Sequence, residues 1–123
     1  MSAYLSPQQF NGDIQSITKY YERVSEQRGE KLEAPEWVIR ELGYHYVDIQ
    51  NYDKAIDLFK HAITKYPQTP DAYNGLAYGY ERMDEYEKSL ESVNKALALS
   101  TPEHDGHQVY LSRQKRLQSL LKE

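Results

Sequence analysis

The sequence predicts an all-α fold built from antiparallel helix pairs, and three observations lead to this prediction. A shift of 34 residues aligns 36–69 with 70–103, so that Leu42 falls on Leu76 and Ala62 on Ala96. Apolar residues recur in both copies at the spacing of one helix face. Pro67 and Pro102 stand where the copies end, and proline cannot continue a helix interior. Internal repetition of this length indicates stacked helix pairs that cover one another's apolar faces.

Composition narrows the class of protein. The 123 residues carry 15 basic and 19 acidic side chains, a net charge of −4, with 12 Tyr, 2 Phe and no Cys. The lack of Cys excludes a disulfide scaffold and a thiolate zinc site. The mean hydropathy of −0.87 and the lack of a long apolar run exclude a membrane span. The mild acidity disfavours nucleic acid as a partner, and with no signal-peptide pattern at its start we expect the chain to be cytoplasmic.

The N-terminal flank, residues 1–33, is expected to be helical. Ser6–Gln9 has the pattern of a short capped turn, and Asp13 is the expected N-cap of a longer helix that ends at Gly29. The apolar face of this helix is expected to hold Ile14, Ile17, Tyr21 and Val24. The helix is a candidate cover for one end of the array.

The first repeat unit, 34–69, predicts helices over 36–49 and 53–65. The break at 50–52 is polar, and Asp53 is the expected N-cap of the second helix. Gly43 is expected to face this helix closely, because the spacing of paired helices depends on the size of their contact residues. The second unit, 70–103, repeats the pattern, and Pro70 suits a helix's first turn.

The C-terminal stretch, 104–123, predicts a capping helix. Asp105 is its expected N-cap, and apolar residues such as Leu117 are expected to cover the exposed end of the second unit. The basic residues expected to face water are Arg113, Lys115, Arg116 and Lys122.

The spacing within both units resembles that of the tetratricopeptide repeat family. The first unit has Leu42-Gly43-x2-Tyr46 followed by Ala55-x3-Phe59, and the second has Leu76-Ala77-x2-Tyr80 followed by Ser89-x3-Val93. The resemblance implies a short right-handed superhelix whose concave groove is lined by the first helix of each unit. It assigns Tyr46, Tyr52, Tyr80 and Tyr86 to the core.

The resemblance also implies which residues line the groove. It points to a peptide-binding set of Trp37, Arg40, Tyr44, Asn74, Tyr78 and Arg82. Tyr, Trp and Arg are enriched in binding hot spots, although packing alone would also account for the two tyrosines. From the last helix, the same reasoning adds Gln108, Ser112 and Lys115. The carboxylate-clamp subtype is not supported, because Tyr44 and Gly75 stand where that subtype has Asn.

A search for chemistry finds no catalytic motif, and we expect no cofactor, no metal and no enzyme activity in this chain. His104 and His107 could share a metal, but a third ligand is not evident in the sequence around them. A polar loop leading into a helix is the favoured interpretation of that segment.

A looser resemblance concerns the tail of certain bacterial serine esterases. The run Tyr20–Gly29, followed by Ala34–Glu36 and Glu41–Tyr44, is similar to the tetratricopeptide extension of enterochelin-esterase-like enzymes. The leading hypothesis is therefore a non-catalytic interaction module for a protein or peptide. The alternative is an accessory domain that packs on a hydrolase domain of the same chain or mediates dimers. Homodimerisation is open under both hypotheses.

Overall fold

The computed structural model describes residues 14–122, which form six α-helices and no strand. The helices are α1 (Ile14–Arg28), α2 (Glu36–Asp48), α3 (Tyr52–Lys65), α4 (Pro70–Arg82), α5 (Tyr86–Leu99) and α6 (His107–Leu121). The prediction of an all-α fold of paired helices is confirmed. The predicted turn at 6–9 and the predicted cap Asp13 lie outside the described residues.

The pairs α2–α3 and α4–α5 are two copies of one structural unit. Gln50 and Asp84, which are 34 positions apart, both adopt a positive φ, 66° and 59°. The next backbone N–H in each copy bonds back into the preceding helix, Asn51 to Tyr46 O at 2.8 Å and Glu85 to Tyr80 O at 2.9 Å. The sequence repeat is therefore also a repeat of backbone geometry at the turn between paired helices.

Two predicted helix caps are wrong. The helix α3 begins at Tyr52, so Asp53 lies inside its first turn, where its charge still suits the positive helix end. The helix α6 begins at His107 with Gly106 at the N-cap position, so Asp105 lies in the preceding loop. Pro70 does occupy the first turn of α4, as expected.

The core of the first unit is centred on Phe59, whose ring is fully buried. The ring passes so close to α2 and α4 that a methyl group added at either Gly43 or Gly75 would collide with it. In the second unit the fully buried Ser89 donates a hydrogen bond to the carbonyl of Ala77 at 2.6 Å. Small residues thus stand where the helices approach closely, as the sequence predicts.

The helix α1 covers the N-terminal side of the first unit. It buries Ile17, Tyr21 and Val24, as predicted, and it is followed by Gly29 with a φ of 68°. The loop after it is held in place because Ser25 Oγ accepts a hydrogen bond from the N–H of Leu32 at 2.7 Å. A cavity of about 380 Å³ remains between α1, this loop and α3.

The helix α6 covers the second unit from the other side. It packs on α5 and buries Tyr110 and Leu117 in a cluster with Val93 and Ala96. The α5–α6 connection, 100–106, is longer than the α3–α4 connection, 66–69. Consequently α6 begins later than a strict 34-residue period predicts. No helix among the described residues is long and apolar enough to cross a membrane.

Candidate functional site

The helices α2, α4 and α6 place side chains on a common face, called here the α2–α4–α6 face. Arg40 and Tyr44 are four residues apart on α2, and Asn74 and Tyr78 are four apart on α4, so each pair shares one side of its helix. Across the two helices, the rings of Tyr44 and Tyr78 lie 5.6 Å apart. The structure therefore brings the two predicted groove tyrosines together.

Tyr44 joins this face to the core. Its ring meets Phe59 edge-on, with centroids 5.3 Å apart, and burial raises the pKa of its hydroxyl above the ordinary value. Tyr44 thus packs on Phe59 and contacts Tyr78, as the packing interpretation predicts, and its role in binding stays a prediction. Edge-to-face aromatic pairs of this kind contribute about 0.5–1.5 kcal/mol beyond the area they bury.

Tyr78 is held by charged groups on both sides. Its hydroxyl donates to Asp48 Oδ1 at 2.7 Å, and the guanidinium of Arg113 lies 5.5 Å from its ring centroid. The hydrogen bond to Asp48, with burial, raises the pKa of Tyr78. A guanidinium over an aromatic ring is a favourable cation–π contact, so α6 packs directly on this predicted groove residue.

The N-terminal end of the face carries an ion-pair chain. Arg40 Nη1 lies 3.0 Å from Asp71 Oδ2, and Arg40 Nε lies 3.3 Å from Glu36 Oε2. The second contact lacks hydrogen-bond geometry, and both of its atoms are otherwise unpartnered and buried. Burial raises the pKa of Glu36 although Arg40 opposes the shift. Arg40 is thus a bridge between α2 and α4 within the fold.

Asp71 is the centre of this chain. Tyr110 donates a hydrogen bond to its Oδ1, and His104 Nε2 lies 3.3 Å from the same oxygen. Burial by itself would raise the pKa of Asp71, but these two groups and the charge of Arg40 together hold it below the ordinary value. Burial and the bond to Asp71 raise the pKa of Tyr110. His104 Nε2 also lies 3.0 Å from the hydroxyl oxygen of Tyr110, so this ring contacts both a carboxylate and a phenol.

The C-terminal end of the face is built around Glu81. Its carboxylate accepts hydrogen bonds from Arg113 and from Arg116, the latter at 2.7 and 2.8 Å. The Arg116 hydrogen bond is the main reason that the pKa of Glu81 is lowered. Arg113 Nε also donates to Asn74 Oδ1 at 3.0 Å, and Asn74 is only 7% exposed. The side chain of Asn74 thus binds Arg113 of α6 instead of facing solvent.

Two predicted groove residues are exposed at opposite ends of the face. Trp37 is 44% exposed near the start of α2, and Arg82 is exposed at the end of α4. The α6 residues predicted to join the groove, Gln108, Ser112 and Lys115, are also exposed, but the α6 side chains that contact α4 are Tyr110, Arg113 and Arg116.

The expectation that Arg113 faces water is wrong. Its side chain is 12% exposed, because it lies over Tyr78 and bonds to Asn74 and Glu81. The spacing of Tyr110, Arg113 and Arg116 places them along one side of α6, but nothing in the local sequence identifies their partners on α4. His104 and His107 have separate partners, since His107 Nδ1 pairs with Ser100 Oγ at 2.8 Å. No group of three potential metal ligands occurs within residues 14–122.

Comparison with known proteins agrees with the repeat geometry. Residues 70–101 match the tetratricopeptide repeat family, and this stretch corresponds to α4 and α5. A TPR repeat-containing protein of Methanocaldococcus jannaschii is 35% identical over 71 residues, which are 58% of this chain and 12% of that protein. Tetratricopeptide repeat protein 36 of Caenorhabditis elegans is 40% identical over 50 residues, 41% of this chain and 28% of that protein. The chain thus spans a small part of these relatives, and the matched stretches are similar to tetratricopeptide repeats.

Proposed function

We propose that this tetratricopeptide repeat chain is a non-catalytic protein–protein interaction module whose α2–α4–α6 face receives a peptide or a neighbouring domain. The observation that carries the proposal is the 5.6 Å contact between Tyr44 and Tyr78, which makes one aromatic surface across two helices. Exposed Trp37 lies beyond one end of it and exposed Arg82 beyond the other. Aromatic and arginine side chains of this kind dominate the energy of protein interfaces.

Asp71 and Glu81, the carboxylates that join α4 to α6, suit binding better than catalysis. The pKa values of Asp71 and Glu81 are both lowered by the groups that surround them. Such groups are ionised at neutral pH and bonded to tyrosine or arginine, whereas a general base works best with a pKa near the operating pH. Their role here is to fix the positions of α2, α4 and α6.

Within the predicted set, we assign different roles to different residues. Arg40 and Asn74 are positioning residues, because their polar groups are engaged by Asp71 and Arg113. Trp37, Tyr78 and Arg82 are the residues expected to touch the partner. This division gives variants that alter the surface without removing an internal ion pair.

The test is a pull-down from extracts of the native cells, quantified by mass spectrometry. The variant combines Trp37→Ala with Arg82→Ala, and the matched control combines Ile49→Ala with Arg23→Ala. The control removes one exposed apolar residue and one exposed arginine outside the α2–α4–α6 face. We expect the partner to be lost only from the first variant, while circular dichroism shows both to be folded. An identical set of captured proteins for both variants would contradict the proposal.

A second candidate is an accessory domain of a serine hydrolase that packs on the catalytic domain or mediates dimers. It is supported by the resemblance of the run at 20–44 to esterase tails. A reading frame that encodes Gly-x-Ser-x-Gly upstream in the same polypeptide would favour this candidate. In that case the partner of the face is intramolecular, and the catalytic residues belong to the other domain.

A further inference from the structure

An open cavity of about 540 Å³ lies where α4 ends and α5 begins, beside α6. Its wall is formed mainly by arginine and tyrosine side chains. These are Arg82, Arg113, Arg116, Tyr52, Tyr78 and Tyr86. Because Tyr78 and Arg82 also belong to the α2–α4–α6 face, the cavity continues that face at its C-terminal end.

The cavity wall carries more positive than negative charge, although the chain as a whole has a net charge of −4. Its two carboxylates are Glu81 and Asp84. Glu81 is shared by Arg113 and Arg116, and Asp84 accepts a hydrogen bond from Tyr86 at 3.0 Å. Arg82 forms no ion pair with any residue in 14–122. One guanidinium is therefore left without a carboxylate on a wall whose acidic groups are already engaged.

The arginines that bind Glu81 also keep unused donors. A guanidinium carries five N–H groups in a planar fork. Arg113 uses one toward Asn74 and one toward Glu81, and Arg116 uses two toward Glu81. The side chain of Arg116 is 50% exposed, so its remaining N–H groups are accessible. Guanidinium forks of this kind match the geometry of a carboxylate.

We propose that this cavity binds an acidic segment of the partner polypeptide, with a Glu or Asp carboxylate held between Arg82 and the free edge of Arg116. This inference rests on the proposed function, because the acidic segment is part of the chain that lies along the α2–α4–α6 face. A polypeptide is favoured over a small anion since the cavity opens beside the aromatic surface of Tyr78. A peptide backbone can run from one to the other.

The test uses the full chain labelled with ¹⁵N and titrated with hexaglutamate at low ionic strength. Hexaglutamine and hexalysine serve as comparison peptides. We expect hexaglutamate alone to shift the amide resonances around Arg82, Tyr86 and Arg116, with an affinity that falls as salt is added. Arg82→Gln should weaken binding about fivefold, the effect of about 1 kcal/mol. Arg23→Gln, which removes the same charge from α1, should leave the affinity within about twofold, because it lies outside the cavity.

A second variant should change the affinity for hexaglutamate in the opposite direction. Glu81→Gln removes the internal carboxylate that competes for Arg113 and Arg116, so hexaglutamate should bind it more tightly than it binds the wild type. Equal losses in Arg82→Gln and Arg23→Gln, resonance shifts confined to other surfaces, or no binding of hexaglutamate would each overturn the proposal. If one of these results is obtained but the Trp37/Arg82 variant still loses its cellular partner, the proposal of an interaction module is retained. Only the acidic character of the partner is then wrong.

Discussion

The substitution Gly75→Ala tests the packing on which the whole α2–α4–α6 face rests. A methyl group at this position would approach three ring atoms of Phe59, two of them at 2.6 and 2.8 Å, closer than real Cβ atoms come. The ring has little room to move toward α2, because a Cβ atom added at Gly43 would itself lie 2.7 Å from two of the same ring atoms. Overpacking of this kind costs about 1–3 kcal/mol, and the compact site places Gly75 at the upper end.

A favourable term partly offsets this cost. Alanine is a better helix former than glycine by about 1 kcal/mol within a helix, and Gly75 lies inside α4. We therefore expect a net loss of about 2 kcal/mol in the free energy of unfolding. Urea denaturation followed by circular dichroism measures this loss, provided that the denaturant slope is the same in variant and wild type.

A double-mutant cycle separates the collision from other effects. In a Phe59→Leu background the smaller side chain leaves room for the methyl group, so only the helix-propensity gain should remain. Gly75→Ala should then be neutral or stabilising by up to about 1 kcal/mol. The reasoning fails if the substitution costs the same in both backgrounds, or if it stabilises the wild type.

Three further predictions concern other parts of the fold. Gly43→Leu should cost on the order of 1–3 kcal/mol, seen as a lower melting temperature; an unchanged melt would contradict the α2–α3 contact. The pKa of Glu81 is lower in the folded than in the unfolded protein. Its carboxylate therefore stabilises the fold at pH values above the unfolded pKa of about 4.3, and this contribution disappears as the pH falls through the folded pKa. Glu81→Gln should therefore be less stable than the wild type by about 2 kcal/mol at pH 7 and equal to it in acid, and a gap that persists at low pH in urea melts would refute the argument. Deletion of 105–123 should expose the cluster around Val93 and give a product that binds a hydrophobic dye and unfolds without cooperativity; cooperative unfolding of the truncated chain would show that α6 is dispensable.

The helices α2 to α5 could be predicted from the sequence because their signals are local and repeated. The spacing of apolar residues predicts each helix, and the 34-residue shift predicts the register that places Tyr44 beside Tyr78. The start of α3 was predicted wrongly. Asp53 is a good N-cap by residue type, but the helix already begins at Tyr52 with Asn51 at the N-cap position. Local preference decides whether a residue can cap, whereas the preceding turn decides where the helix begins.

The contacts of α6 could not be predicted in the same way. The longer connection at 100–106 shifts α6 out of the repeat period, so the 34-residue shift gives no register for the contacts that α6 makes with α4. The pairing of Arg113 with Glu81 spans 32 positions, and no local pattern signals a partner at that distance. An arginine on an amphipathic helix is usually solvated, so the sequence favours the wrong environment for this one.

The ion pairs of α6 bear on the free-energy cost of the partner binding that we propose for the α2–α4–α6 face. Asp71 and Glu81 hold Tyr110 and Arg113 in place before any partner arrives, so the conformational entropy of those two side chains is lost on folding and not on binding. Interfaces that are ordered in advance lose less free energy on association. The binding energy should then depend mainly on the side chains that remain exposed, Trp37, Arg82 and the free edge of Arg116, with Tyr78 already oriented by Asp48. The polar contacts that hide Asn74 and Arg113 from solvent therefore give the α2–α4–α6 face a defined surface before a partner binds.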